Sequence, residues 1–232
     1  MTKIFPLIAV ILLFAACKKV SVPVTDKSST ASVITDINEL GKYTFVKIGT
    51  QNWMTTNLAV THYRNGDKIP QVKTKAAWHA LTTGAWCWYN NDSATGAVYG
   101  KLYNWYAVND PRGLAPTGWH VPSDLEWDTL SAYLGHNAGG KLKDTGTIEA
   151  GTGLWYAPNA GATNKTGFTG LPGGFRSSNG SFYYIGNNGY WWSSAESNTI
   201  NAWNCILNYT IGNIYRNTSH KRLGFSVRCL RD

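Results

Sequence analysis

The chain has 232 residues, of which 15% are charged and 13% aromatic, and its formal net charge is +8. That length suffices for one domain with a real core, and the 24 Gly and eleven Trp suit short strands and ordered loops packed through aromatic rings. No internal repeat stands out, no apolar run after the N-terminal one could span a bilayer, and Lys and Arg are too dispersed to suggest a nucleic-acid partner.

Met1 to Ala16 reads as a signal peptide. Lys3 gives the positive n-region, Ile4 to Phe14 the apolar run, and Ala15-Ala16-Cys17 a small-residue end. Phe14-Ala15-Ala16-Cys17 resembles a lipobox, so cleavage before Cys17 and a diacylglycerol on its sulfur are expected. A plain secretory signal with a stray cysteine is the alternative. Several acyl chains anchor stably, at about 0.8 kcal/mol per buried CH₂. Residues 17–36 then form a lipidated cysteine and a tether without aromatics. Lys18 and Lys19 are placed to sit on anionic headgroups, so the membrane is the first expected partner. An outer-membrane lipoprotein is the expected location, with the periplasmic and surface sides both open.

The domain is expected over residues 37–232. Tyr43 to Ile48 alternates like a strand, Gly49 to Asn52 turns, and Trp53-Met54 opens the next strand. Asn65-Gly66-Asp67 signals another turn. Thr74 to Ala85 admits a short helical turn, and Ala85 to Tyr89 reads as a buried strand followed by a polar loop over Asn90 to Thr95. Leu102, Trp105 and Tyr106 stand at helical spacing, which predicts a first helix over Gly100 to Val108.

The clearest helix signal comes next. Ser123 and Glu126 form a capping box, Trp127, Leu130 and Leu134 share one face, and Gly135 fits the C′ position. A helix over 124–134 follows, packed against the first through aromatic faces. From 136 to 180 the chain is rich in Gly, Asn and Thr with little periodicity. Ser181 to Ile185, Tyr190 to Ser193, Ala202 to Tyr209, Gly212 to Arg216 and Gly224 to Leu230 read as closing antiparallel strands, turning at Asn187-Asn188-Gly189 and Ile211-Gly212-Asn213.

The stretch GWHVPSDLEWDTL (118–130) resembles the signature of the Fibrobacter succinogenes major paralogous domain of Bacteroidetes lipoproteins. VKIGTQNWMTTNL (46–58), YGKLYNWYAV (99–108), AGGKLKDTG (138–146), GFTGLPGGFRSSNGSF (167–182), GYWWSS (189–194) and GFSVRCLRD (224–232) match it in order. That family brings no biochemical activity to carry over. More distantly, HVPSDLEWD is similar to the helix start of sulfatase-modifying factors, which share an architecture related to C-type lectins. The likeness implies an α+β fold, a compact C-type-lectin-like domain with two helices, short antiparallel strands and long loops that are ordered.

Without Cys17, the cysteines are Cys87, Cys205 and Cys229, an odd number in a compartment that permits disulfides. Many relatives carry a cysteine where this chain has Ala115, so the partner that the resemblance implies for Cys229 is missing. A Cys205–Cys229 bridge, a substitute through Cys87, and three buried thiols all remain open. No base stands beside any of them to make a nucleophile, and the copper-binding cysteine pattern of the sulfatase-modifying factors is absent.

His62, His79, His120, His136 and His220 lack metal-ligand spacing, so no metal is expected. A lectin-type calcium site would need a WND-like strand, but Trp203-Asn204-Cys205 has Cys for Asp. Asn204 with Pro158-Asn159 is at most a remnant of one. Acidic residues are few, and Asp124 and Glu126 are explained by the helix start, so paired-carboxylate hydrolysis finds no support. The expectation is a non-enzymatic protein without cofactor.

The aromatic clusters point elsewhere. Trp191 and Trp192 must face opposite sides of a strand, so one can be core while the other stacks on a sugar ring. Burial of both under a long loop is the bland alternative. A binding module for carbohydrate or another surface polymer predicts that some of Trp155, Arg176, Tyr184, Tyr190, Trp191 and Asn204, with Trp192 as a further candidate, are exposed around one groove. A structural or protein-interaction domain, an adhesin or assembly component working through envelope proteins, predicts them buried and a flat apolar or aromatic patch elsewhere.

Overall fold

The computed structural model describes residues 33–35 and 43–232. The expected signal peptide, Cys17 and Lys18-Lys19 lie outside the described residues. The domain is a mixed α+β fold with two longer helices and several sheets.

The chain begins with β1 (Val33–Thr35), β2 (Thr44–Ile48) and β3 (Gln51–Met54). β1 falls in the segment read as tether, yet it pairs antiparallel with β2 from Val33↔Val46 to Thr35↔Thr44. β2 and β3 pair from Phe45↔Met54 to Ile48↔Gln51, so the turn shrinks to Gly49-Thr50. The short α1 (Lys75–His79) is capped by Thr74, whose hydroxyl accepts from the Ala77 N–H.

The Gly100–Val108 helix is not observed as expected. β4 (Trp86–Cys87) pairs with β5 (Leu102–Tyr103), and α2 (Ser93–Tyr99) lies between them, starting in the expected polar loop. Only α3 (Trp105–Val108) is helical, because Asn104 accepts from the Ala107 N–H as its N-cap. Trp105 and the Trp127 of the long helix belong to different apolar cores, so the two helices do not meet through aromatic faces.

β6 (Trp119–His120) leads to α4 (Asp124–Leu134), which matches the expected helix end to end. Ser123 and Glu126 make the reciprocal capping box, worth about 1 kcal/mol, and Gly135 ends the helix at φ +64°. Trp127, Leu130 and Leu134 face the core, whereas Tyr133 is exposed. α5 (Ala138–Leu142) follows.

The remaining strands are β7 (Gly173–Arg176), β8 (Phe182–Ile185), β9 (Asn188–Glu196), β10 (Asn201–Asn208), β11 (Tyr215–His220) and β12 (Leu230–Arg231). One sheet runs β1-β2-β3-β12-β6 and a second runs β11-β10-β9-β7-β8. β8 and β9 are joined by a two-residue turn, Gly186-Asn187, but are not ladder neighbours. β7 inserts between them and meets β9 in parallel at Gly174↔Gly189. The closing series is therefore not wholly antiparallel, and Gly224 to Ser226 contributes isolated bridges instead of a strand.

The second sheet is covered on both faces. Strand alternation sends Trp191 into the core with Trp53, Trp127 and Phe168, and Trp192 into the core with Tyr103, Trp105 and Phe225.

The long segment after α5 is held by buried cations that lack a carboxylate partner. Lys143 is buried, and its three ammonium protons meet the carbonyls of Ala160, Asn208 and Ile211 at 2.9, 2.9 and 3.1 Å. Arg176 donates to the carbonyls of Val72, Lys73, Thr74 and Gly180 and lies 4.4 Å over the Trp78 ring. Arg228 donates to Asn57 Oδ1 and to the Met54 and Phe168 carbonyls. Irregular backbone has carbonyls that no ladder satisfies, and these side chains satisfy them from inside.

Candidate functional site

Six of the seven candidate ligand residues are buried: Trp155, Arg176, Tyr190, Trp191, Trp192 and Asn204. Most of their polar atoms are occupied within the fold, although Asn204 Oδ1 has no partner among the described residues. The indole N–H groups of Trp155, Trp191 and Trp192 donate to the Gly170 carbonyl, Asn57 Oδ1 and the Tyr103 carbonyl. Asn204 Nδ2 donates to the Asn217 carbonyl and Ser219 Oγ, so its amide faces β11 rather than a solvent-filled calcium site. Asn159 is likewise buried, donating to the Asp144 and Gly146 carbonyls. Among the described residues, no group of three or more His, Cys, Asp or Glu is arranged to hold a metal ion.

Of the cysteine states left open by the sequence, the structure has the three buried thiols and not the Cys205–Cys229 bridge. Cys87, Cys205 and Cys229 are all free and buried, with Cys205 and Cys229 in different cores. Burial pushes the Cys87 and Cys229 thiols up to about 12, so none is a thiolate nucleophile at neutral pH.

Tyr184 is the exception: it is 55% exposed, and its neighbour Tyr183 is 44% exposed. In a regular strand these two rings would point to opposite faces. Here Tyr184 adopts φ +63°, opposite Gly174 at φ +61°, and the alternation breaks. Both rings then lie against Phe175, at centroid distances of 5.7 Å for Tyr183 and 5.9 Å for Tyr184. A Cβ on Gly174 would stand 2.4 Å from the Tyr183 carbonyl oxygen, so the paired distortion needs glycine there. A left-handed tyrosine is a rare state that its surroundings must hold in place. The result is a three-ring face across β7 and the edge strand β8.

Polar groups border this face. Tyr190 packs 5.1 Å from Phe175 and stacks 5.0 Å from Phe225. Its hydroxyl accepts from Asn188 Nδ2 at 2.6 Å, and Asn188 Oδ1 accepts from Asn208 Nδ2 at 2.7 Å. Asn208 Oδ1 in turn accepts from the Thr210 hydroxyl at 2.6 Å. Burial pushes the Tyr190 phenol above its ordinary value, so it stays a proton donor.

A second constellation surrounds the α4 cap. A cavity of about 370 Å³ is lined by Arg64, Leu114, Ala115, His120, Ser123 and Glu126, among others. The sequence offered no set of converging titratable groups, because Asp232 lies at the far end of the chain. His120 Nδ1 is 2.7 Å from Asp232 Oδ1, and its Nε2 is 2.9 Å from Glu126 Oε1. Burial alone would lower the imidazole, but Asp232 and Glu126 carry it above its ordinary value. Burial would raise Glu126, but the Ser123 N–H and hydroxyl with His120 hold it low. These groups are occupied by the cap and by one another, which makes the cluster a clamp between β6, α4 and the end of β12.

The described residues form a loop-rich α+β domain with an exposed aromatic face. The chain belongs to the Fibrobacter succinogenes major domain family, whose profile matches residues 46–231. A comparison with curated proteins found no match. The buried cations stand in pieces that carry the likeness: Lys143 in AGGKLKDTG, Arg176 in GFTGLPGGFRSSNGSF, and Arg228 in GFSVRCLRD.

Proposed function

We propose that this protein is a non-enzymatic, lipid-anchored binding module of the cell envelope, with a lectin-like architecture. Its ligand is a carbohydrate or another surface polymer, taken by the face of Phe175, Tyr183 and Tyr184. The observation that carries the reading is the left-handed Tyr184, which gathers exposed rings on one side of β8 at a cost in backbone strain. An aromatic face rimmed by amides suits sugar rings, whose C–H faces stack while their hydroxyls bond at the edge.

The anchor is Cys17, and an outer-membrane location follows from it. Mass spectrometry of the mature N-terminus tests this, since an unmodified Cys17 overturns it. The binding reading is tested by a glycan array probed with the full chain in detergent, with and without calcium. Repeatable binding that Tyr184→Ala abolishes supports it. Calcium dependence would return attention to Asn204 and Asn159.

A second reading has its own support. Burial of six of the seven candidate ligand residues is what a structural or protein-interaction domain calls for. Silence across a broad array, together with a defined envelope protein retained by wild type and released by Tyr184→Ala, favours that reading.

A further inference from the structure

We infer that the ligand of the aromatic face is a single, uncharged glycan chain, and that the Tyr190 hydroxyl donates the hydrogen bond that sets its register. This rests on the reading of that face as the binding surface and narrows it.

The shape comes first. Phe175, Tyr183 and Tyr184 are tilted against one another by 31° to 45°, so the rings make a curved cradle and not a plane. A flat crystalline polymer face needs coplanar rings, whereas a free chain whose successive units rotate fits a tilted set. The Tyr183 and Tyr184 centroids are 6.3 Å apart, comparable to the step from one pyranose to the next.

The hydrogen bonds come second. They run one way, from the Thr210 hydroxyl to Asn208, from Asn208 to Asn188, and from Asn188 to the Tyr190 oxygen. Each donor polarises the next, which strengthens the last one. Among the described residues the Tyr190 proton has no acceptor, although the side chain is only 8% exposed. A buried donor left open calls for an acceptor from outside, and a sugar hydroxyl or ring oxygen supplies one.

Charge comes third. Phe175, Tyr183, Tyr184, Asn188, Tyr190 and Asn208 carry no formal charge, and Arg176 turns to the opposite side to bind carbonyls. A uronate or sulfated chain would lose hydration here without a counter-charge.

The test titrates the full chain in detergent, by calorimetry, with soluble gluco-, xylo-, manno- and galacto-oligosaccharides. Pectate and alginate serve as charged counterparts. At least one uncharged series binds, Tyr184→Gly abolishes that binding, and Tyr190→Phe, still cooperatively folded at the temperature of the titration, weakens it about tenfold. Affinity for the charged polymers alone overturns the inference, as does unchanged affinity in Tyr190→Phe or no binding at all. If binding of a charged polymer is still lost in Tyr184→Gly, the face survives as the binding surface and only the ligand class falls. If no bound ligand responds to Tyr184→Gly, both readings fall.

Discussion

Replacing Tyr184 by glycine and by alanine separates backbone strain from ring packing. A non-glycine residue held at left-handed φ costs about 1–2 kcal/mol. The Tyr184 ring is 55% exposed, so its contact with Phe175 returns roughly 1 kcal/mol, about half of full burial. Alanine loses the ring and keeps the strain, so Tyr184→Ala is destabilised by about 1 kcal/mol. Glycine loses the ring and the strain and adds roughly 0.5–1 kcal/mol of chain entropy, which leaves it near wild type. The order is thus glycine above alanine by about 0.5–1 kcal/mol, the reverse of an ordinary strand interior. Urea midpoints at constant m-value read the difference directly. Alanine equal to or more stable than glycine refutes the left-handed conformation and, with it, the mechanism that gathers the rings.

Three further outcomes follow from the buried groups. Lys143→Met removes the donor from the Ala160 and Ile211 carbonyls, leaves the Asn208 carbonyl only its long 3.5 Å bond from the Ile211 N–H, and costs about 3 kcal/mol, read by denaturation; a loss under about 1 kcal/mol contradicts the carbonyl cage. The His120 clamp has a raised imidazole, so its contribution is complete below the unfolded value of about 6.5 and fades as pH rises through the higher folded value. Glu126 is lowered, so its share is complete above about 4.3 and fades as pH falls through the folded value. His120→Gln removes the upper limb; the effect stays under about 1 kcal/mol because the ring is more than a third exposed. Finally, Ellman's reagent finds no reactive thiol in the native domain and three once it is unfolded under non-reducing conditions; only one on unfolding would show a bridge.

The parts legible in the sequence were those whose causes are local. The α4 helix is set by Ser123, Glu126 and the Trp127-Leu130-Leu134 stripe, all within a dozen residues of each other. Leu102 misled because its spacing to Trp105 fits a helix, while its strand pairing with Cys87 comes from a distant segment. Asn104, a good N-cap three residues before Ala107, was the signal that could have placed the helix start. Trp191 and Trp192 were rightly placed on opposite faces, but a single strand cannot tell that both faces are covered. Nothing in the tyrosine at 184 announces a left-handed backbone, since that state depends on Gly174 across the ladder. Lys143 and Arg228 are two of many dispersed cations in the sequence and Arg176 is a candidate ligand contact there; only long-range folding encloses all three.

Those three cations have a consequence for motion. Lys143 ties together carbonyls at 160, 208 and 211, and Arg176 ties residues near 72–74 to residue 180. A loop gripped in this way cannot open alone, because each opening strands a charge in an apolar interior. Amide protons held in the irregular stretch from 139 to 170 should therefore exchange with solvent only when the whole domain unfolds, at rates matching those of β9 and β10. The region with the least regular structure would behave kinetically as part of the core.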